Sequence, residues 1–258
     1  SGDQKVGLFT IQMTDLEVDV AGLDLTVDRV YDSRDRRPGD FGYGWNLAVS
    51  SMTVQSNRLQ GEEWRVDRVG SGFNVRYVLS PNRPAVVTVT TPSGDVEEFD
   101  LTPTPGSQAI SKLEQTTAAY TARPGTLGRL RPLGATRLWI PDGQPGDVTL
   151  YYDGTLDVYD PDAFEYTAPN GEVYVLSIAD GVRSRRDPNG NTLTFDDSGV
   201  THSAGPQLRF TRDADGRITE ITDPAGNVHA YDYDDRGDLI AHTSPVGDTT
   251  GFTYNSRD

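Results

Sequence analysis

Hydrophobic and polar residues alternate along most of this chain, and a period of two residues is the spacing of β-strands. The longest run is DFGYGWNLAV (40–49), in which every second residue is aromatic or apolar and Gly, Asn or Ala lies between them. Upstream, LDLTVDRVY (23–31) places Leu, Val and Tyr on one face, and the turn-rich DSRDRRPGD (32–40) follows. The pattern predicts a strand over 40–49 and a hairpin that joins it to 23–31.

Further strands are predicted across the middle of the chain. The candidate segments are AVVTVTT (85–91), GRLRPL (128–133), DVTLYY (147–152), GTLDVYD (154–160) and GEVYVLSI (171–178). One segment, SKLEQTTAAY (111–120), has a helical alternative. The predicted fold class is all-β, built from antiparallel strands and linked hairpins.

The C-terminal third repeats itself with a period of 21 residues. FTRDADGRITEITDPAGNVHA (210–230) aligns with YDYDDRGDLIAHTSPVGDTTG (231–251), and a third copy begins at Phe252. An irregular earlier copy is DPNGNTLTFDDSG (187–199). Identity is concentrated in the turn-forming residues Gly, Pro, Asp and Asn. A period near 20 residues indicates an array of small supersecondary units.

Each unit is predicted to contain two strands and two turns. In HAYDYD the two tyrosines share one face, which is a strand pattern. DADGR and DDRGD supply one turn, with Gly at a position that needs positive φ, and DPAGN and DPNGN supply the other. The result is a ribbon of antiparallel hairpins whose aromatic faces are covered only by their neighbours.

Two motifs inside the repeats suggest binding sites. Arg236-Gly237-Asp238 is an adhesion tripeptide, but it aligns with Asp215-Gly216-Arg217 and shares only the glycine that the turn requires. We interpret it as a turn with Arg and Asp at exposed positions. DADGRI (213–218) resembles the middle of an EF-hand loop, but the first and twelfth ligand positions hold threonine. A looser calcium site among the exposed aspartates stays an alternative.

Composition and charge exclude several partners. The net charge is −16 and no basic patch occurs, so binding to nucleic acid or to an anionic membrane is not expected. No apolar stretch approaches the roughly 20 residues of a membrane span, so no membrane insertion is predicted. Cysteine is absent. The opening SGDQ has no signal-peptide pattern, and we expect the chain to be a piece of a longer protein.

Signals for catalysis are weak. His229 and His242 lie in neighbouring repeats and could approach each other, but two histidines without a third ligand make a poor metal site. We favour exposed strand or turn positions for them and for His202. No nucleophile elbow, phosphate loop or dinucleotide fingerprint occurs. We predict that the protein is not an enzyme, with no catalytic, cofactor-binding or metal-binding residues and no cofactor.

The repeats resemble a known family. YDYDDRGDLI and TDPAGN are similar to the YD repeats of RHS proteins, a family of large bacterial proteins. TDLEVDVAGLDLTVDRVYDSR followed by GDFGYGW resembles the region that precedes those repeats, and YTAPNGEVYVL (166–176) and RDPNGNTLTF (186–195) resemble the transition into them. We divide the chain into an N-terminal β-rich domain, 1–180, and a YD-repeat ribbon, 181–258.

The resemblance implies a hollow β-shell wound from the ribbon, which in many members encloses a C-terminal toxin. Other members are surface-associated, and similar repeats occur in insecticidal toxin complexes and in teneurins. This chain holds only about three repeats, too few to close a shell. It also lacks the family's C-terminal self-cleaving core, so neither cargo nor autoproteolysis carries over.

The leading hypothesis is a non-enzymatic structural module that starts or plugs such a shell. Its partners would be the remainder of the same polypeptide, meaning further YD repeats and an enclosed toxin domain. The alternative is a surface adhesin or carbohydrate-binding module, because aromatic side chains on the ribbon could stack on the sugar rings of glycans. Core packing is the favoured role for those aromatics. Either hypothesis implies a secreted or cell-surface protein.

The third repeat copy has only begun where the sequence ends. We expect Phe252 and Tyr254 to lie on an incompletely covered edge strand with unpaired backbone groups. Such an edge pairs readily with another chain, so fraying or weak self-association is expected at 249–258.

Overall fold

A computed structural model describes residues 10–254 of the chain. The described residues form antiparallel β-sheets and no α-helix, which confirms the predicted all-β class. The helical alternative at 111–120 is wrong, because this segment contributes to two short strands instead. The expectations that concern SGDQ and residues 255–258 lie outside the described residues.

The strands in chain order are β1 (Thr10–Val18), β2 (Leu25–Asp32), β3 (Pro38–Gly39), β4 (Gly42–Tyr43), β5 (Trp45–Leu47), β6 (Thr53–Ser56), β7 (Trp64–Val69), β8 (Arg76–Pro81), β9 (Val86–Thr90), β10 (Val96–Leu101), β11 (Ser107–Ala109), β12 (Gln115–Thr117), β13 (Tyr120–Ala122), β14 (Arg129–Pro132), β15 (Arg137–Trp139), β16 (Gly146–Val148), β17 (Tyr151–Tyr152), β18 (Ala163–Thr167), β19 (Val173–Ser177), β20 (Gly181–Arg186), β21 (Thr192–Asp196), β22 (Gly199–His202), β23 (Gln207–Arg212), β24 (Ile218–Thr222), β25 (Val228–Tyr233), β26 (Leu239–Thr243) and β27 (Thr249–Gly251). Two short 3-10 turns lie at Val49–Ser51 and Gly72–Asn74.

The described residues form two compact units. Unit 1 holds the residues up to Ser51 together with those from Ser184 onward, and unit 2 holds Met52–Arg183. The N-terminal segment and the repeats therefore belong to the same compact unit, although more than a hundred residues separate them in the chain. The boundary between residues 180 and 181 was drawn from the family resemblance, and it stays a prediction. The two compact units are divided differently, because the residues up to Ser51 are grouped with the repeats.

Unit 2 is a set of small antiparallel sheets. Their strand orders are β13-β10-β9-β6, β11-β8-β7-β16, β12-β15-β17 and β14-β18-β19. Its largest core cluster contains the buried side chains of Trp64, Val66, Leu79, Ala85, Leu101, Leu113, Ala118, Leu138, Ile140, Leu150 and Tyr159. Alternating residues turn inward from β10 and β14, as the sequence pattern predicts.

One predicted strand of unit 2 is wrong. GTLDVYD (154–160) forms a turn and an irregular return, with a single bridge between Tyr151 and Val158. Gly154 has a φ of +84°, and the amide of Thr155 donates to the carbonyl of Tyr152 at 3.1 Å. The glycine and the threonine thus close a tight hairpin where the alternation suggested extended backbone.

Unit 1 contains a three-stranded sheet, β1-β2-β5, and the repeat ribbon. In the ribbon the strands from β20 to β27 follow one another in chain order, and the pairings are antiparallel. β2 pairs with β5 through Tyr31 and Trp45, which confirms the predicted hairpin. The predicted continuous strand over 40–49 is wrong: Gly42 and Gly44 adopt φ of +86° and +73° and split it into β4, β5 and a 3-10 turn.

One turn geometry recurs along the ribbon. In each copy the amide of the first residue donates to the carbonyl of the fifth, and the amide of the fourth, a glycine, donates back to the carbonyl of the first. These glycines have φ between +85° and +108°, the arrangement of a type I turn followed by a left-handed bulge residue. The copies in unit 1 are residues 187–191, 202–206, 213–217, 223–227, 234–238 and 244–248. The two turn classes distinguished in the sequence therefore share one backbone geometry.

Replacing a turn glycine tests this geometry. Gly226 and Gly237 share a φ near +90°, but a Cβ at Gly226 would meet no atom within 4 Å, whereas one at Gly237 would lie 3.0 Å from Nη1 of Arg217 and 3.3 Å from the Tyr43 ring. We expect Gly226→Ala to destabilise unit 1 by about 1–2 kcal/mol through backbone strain, and Gly237→Ala to destabilise it more. Urea unfolding of both variants measures this, and an equal loss at the two sites would contradict the close packing of Arg217 and Tyr43 on the turn.

Candidate functional site

A buried ion pair anchors the N-terminal segment of unit 1. Asp15 lies at a bulge in β1, where the pairing with β2 shifts register between Thr14 and Leu16. A bulge re-aims the side chain that it carries. The Asp15 carboxylate accepts hydrogen bonds from Nε and Nη2 of Arg29, the latter at 2.8 Å. Arg29 is fully buried and the Asp15 side chain is 3% exposed, so both charges are removed from water.

Aromatic rings surround the Arg29 guanidinium. Its central carbon lies 5.0 Å from the ring centroid of Trp45 and 5.5 Å from that of Phe41, both in the N-terminal segment. It lies 5.3 Å from the centroids of Tyr231 and Phe252 in the repeats. A cation over aromatic faces is stabilised by their quadrupoles, most strongly where water is excluded. Tyr231 and Phe252 occupy equivalent positions of successive 21-residue repeats, so one guanidinium contacts two repeats.

The Asp15 carboxylate also binds the repeats directly. The hydroxyl of Tyr231 donates to Oδ2 at 2.8 Å, and Nδ1 of His242 lies 3.4 Å from Oδ1. Burial raises the pKa of Tyr231, and the negative charge of Asp15 adds to this effect. The phenol therefore stays protonated and acts as a donor.

Two histidines extend this network. Nδ1 of His229 lies 3.1 Å from Nε2 of His242, and the two rings are parallel within 3°. The two residues are 5% and 7% exposed, so the prediction of exposed positions is wrong. The two histidines do lie next to each other, as their places in neighbouring repeats allowed. His202 is also buried, and its Nδ1 accepts a hydrogen bond from the amide of Ala204. Burial lowers the pKa values of His229 and His242, while the charge of Asp15 acts in the opposite direction.

A second group of contacts holds the segment at the other end of the repeat strands. Asp40 pairs with Arg212 at 3.0 Å, and its carbonyl accepts from the amide of Ile218 at 2.8 Å. Gly42 approaches so closely that a Cβ there would lie 2.3 Å from the carbonyl oxygen of Gly237. Only glycine permits this contact between backbones.

The aromatic side chains of Phe252 and Tyr254, at the end of the described residues, pack against the N-terminal segment. The edge strand β27 is exposed, but it ends at Gly251, and Phe252 and Tyr254 lie beyond it. Both side chains are half-buried against Trp45, whose indole donates to the Tyr254 hydroxyl at 2.9 Å. That hydroxyl donates to the carbonyl of Leu239 at 2.7 Å. The two aromatics are incompletely covered, as expected, but they lie beyond the edge strand, and the amide of Phe252 is paired with the carbonyl of Ile240 at 2.9 Å.

The adhesion-like tripeptide is part of a turn, as predicted, but one of its positions is not exposed. The carboxylate of Asp234 accepts hydrogen bonds from the amides of Arg236 and Asp238, and Gly237 has a φ of +86°. Arg236 is exposed, whereas Gly237 and Asp238 are half-buried. The turn lies against Gly42 and Tyr43, so its aspartate is not displayed at a free tip.

The acidic motifs of the repeats are used within the turns. Asp213 and Asp215 both bind the guanidinium of Arg217, at 2.8 Å and 3.0 Å, in the segment that resembles an EF-hand loop. Among residues 10–254, one trio of carboxylates lies close enough to hold a metal ion, and its members, Glu17, Asp19 and Asp24, are all exposed. Exposed acidic groups of this kind are common without an ion, so the trio by itself does not establish a site.

Asp15 and Arg29 were not among the site residues predicted from the sequence. Arg29 occupies the inward-facing position of β2, between Val27 and Tyr31, where alternation calls for an apolar residue. An arginine at such a position indicates a buried cation that needs a partner. The partner could not be located, because Asp15 faces inward only through the bulge.

Neutralising Asp15 should be far more costly than neutralising Asp35, an aspartate of the same segment whose partner Arg37 is exposed. Asp15→Asn leaves the Arg29 charge buried and uncompensated, so we expect a loss of about 3–5 kcal/mol in the free energy of unfolding. The matched control is Asp35→Asn, which removes a two-bond pair with the exposed Arg37 and should cost at most about 1 kcal/mol. Urea unfolding followed by tryptophan fluorescence measures both. Equal losses would show that burial of the pair is unimportant.

Comparison with known proteins places these features in a family. The family model "Domain of unknown function (DUF6531)" matches residues 4–68, and the model "RHS Repeat" matches residues 179–228. No curated protein matches the chain. Within the described residues, no helix is long and apolar enough to cross a membrane. The two matched segments contain the N-terminal strands and the first strands of the ribbon. Residues 179–228 therefore carry repeats of the RHS/YD-repeat family, and the N-terminal match is consistent with that family.

Proposed function

We propose that this chain is a structural module that starts the repeat ribbon of a large RHS-type protein. In this proposal the N-terminal segment, residues 10–51, serves as a cap on the first repeats. The observation that carries the proposal is the Asp15–Arg29 pair, which contacts side chains of two successive repeats. The aromatic face of a repeat ribbon needs a cover, and the N-terminal segment supplies it at Tyr231 and Phe252.

The packing of unit 1 supports this role. The N-terminal segment and the ribbon contribute to one buried cluster, whose members are Leu23, Leu25, Val27, Phe41, Trp45, Leu47, Leu193, Val200, Leu208, Ile218, Ile221, Tyr231 and Leu239. Apolar burial supplies the stability, at roughly 25 cal/mol for each Å² removed from water. The ion pair adds selectivity, because a different register would cost the buried Asp15 carboxylate its hydrogen bond from the Tyr231 hydroxyl. The pair would thus fix which repeat lies under the segment.

The remaining parts of the proposal concern the longer protein. Further YD repeats would continue from β27, whose exposed edge offers backbone groups for pairing. A shell completed in this way would enclose a toxin domain, and the module would have no catalytic role of its own. Its location would be secreted or on the cell surface, in keeping with the match to RHS repeats.

The alternative is a surface adhesin or carbohydrate-binding module. Aromatic residues of the ribbon would then have to present their faces to sugars. Phe195, Phe210 and Tyr233 are half-buried against the core cluster, and Tyr231 is 3% exposed. This packing favours the structural role. We expect a glycan array to give no reproducible binding, and selective binding to one glycan class would favour the alternative.

Two deletions test the capping role. In unit 2, a Cβ at Gly181 would lie 3.9 Å from the carbonyl oxygen of Met52, so a short Gly-Ser linker can replace residues 53–180. We expect that variant to keep a folded ribbon. A second variant, which lacks residues 1–51 and retains unit 2, should lose hydrogen-exchange protection across β23–β26. Full ribbon protection without residues 1–51 would contradict the proposal.

A further inference from the structure

Only one proton fits between the facing ring nitrogens of His229 and His242. Nδ1 of His229 and Nε2 of His242 are 3.1 Å apart, so one of these atoms donates and the other accepts. If Nδ1–H of His242 points at Asp15 Oδ1, 3.4 Å away, its Nε2 is free to accept from His229. This arrangement leaves both rings neutral.

The neutral pair can take up one proton but not two. The first proton is accommodated when the tautomer of His229 changes, so that His242 donates from Nε2 to His229. With both rings protonated, two N–H groups would face each other across 3.1 Å and two positive charges would lie in parallel rings. Such like-charge contact is strongly unfavourable away from water.

The surrounding charges do not remove this conflict. Asp15 on β1 is the nearest carboxylate, but it already binds the buried guanidinium of Arg29 on β2. Asp223, at the end of β24, favours protonation of His229, whereas Arg29 opposes protonation of His242. The phenol of Tyr231, whose ring centroid lies 5.0 Å from that of His242, is neutral. Burial is the largest influence on both rings, and it lowers the pKa of each.

We propose that the His229–His242 pair is a proton-sensitive lock, which holds the N-terminal segment on the repeats at neutral pH and releases it in acid. The inference rests on the docking role proposed above. When the segment opens, the imidazoles regain water and their ordinary affinity for protons.

The direction of the pH dependence follows from linkage. The open form binds more protons than the docked form below an imidazole pKa of about 6.5. Docking is therefore complete above that pH and weakens as the pH falls through the lowered values of the docked state. Uptake of two protons on opening would change the opening equilibrium by up to about 100-fold per pH unit. We expect at least about a tenfold increase in opening between pH 7.5 and pH 5.5.

Hydrogen exchange of the full chain tests this lock. Peptides that cover β1 and β2 report opening of the segment, and peptides that cover β7 and β8 of unit 2 are the internal reference. After correction for intrinsic exchange rates, acid should increase opening of β1 and β2 and leave β7 and β8 unchanged. The double variant His229→Gln/His242→Gln, which keeps polar side chains that do not titrate, should show no such increase. The control His202→Gln should retain it, because the lock is intact.

The possible results separate the lock from the docking role. Protection of β1 and β2 at both pH values in the unaltered chain would overturn the lock and leave docking intact. Acid-induced opening that persists in the double variant, or disappears in His202→Gln, would also overturn it. If the double variant does not dock at pH 7.5, NMR titration of the unaltered chain decides. A second protonation of the pair well below pH 6.5 supports the lock, and ordinary titration of both imidazoles overturns it.

Discussion

The desolvation of Arg29 constrains how unit 1 can be built. A guanidinium cannot lose its proton at accessible pH and is costly to bury, so its surroundings must replace the water that it gives up. Asp15 supplies the opposite charge through two hydrogen bonds, and four aromatic rings cover the faces of the cation. Two of these rings come from the repeats. The carboxylate and the other two rings belong to the N-terminal segment, so the repeats complete the surroundings of a charge that the segment itself pairs.

The same constraint links the repeat period to the position of the cap. Aromatic residues recur every 21 positions on the inward face of the ribbon, at Phe210, Tyr231 and Phe252. Hydrophobic packing alone would accept any of these positions. The Tyr231 hydroxyl, which binds Asp15, occurs at one of the three. Polar compensation can therefore select a register that apolar burial would leave open.

The repeats were the most predictable part of the fold, because glycine and aspartate have local effects that a sequence displays. Each Asp-x-x-Gly turn is closed by its own side chain and backbone, as at Asp213 and Asp234. The strand over 40–49 was mispredicted, because alternating glycines suit both an extended strand and a kinked one. Exposure of His229 and His242 was mispredicted for a different reason. Asp15, which approaches His242, lies more than two hundred positions away, and no local pattern reveals such a partner.

Native-state hydrogen exchange as a function of denaturant tests most directly whether the segment and the repeats fold together. It compares the opening free energy, and its denaturant dependence, for the slowest amides of β2 and β25 in the unaltered chain. A shared ion pair and core predict that both strands open in one cooperative step, with equal free energies and equal slopes. If β2 opens at a clearly lower free energy and a smaller slope while β25 stays protected, the ribbon is stable without its cap and the account is wrong.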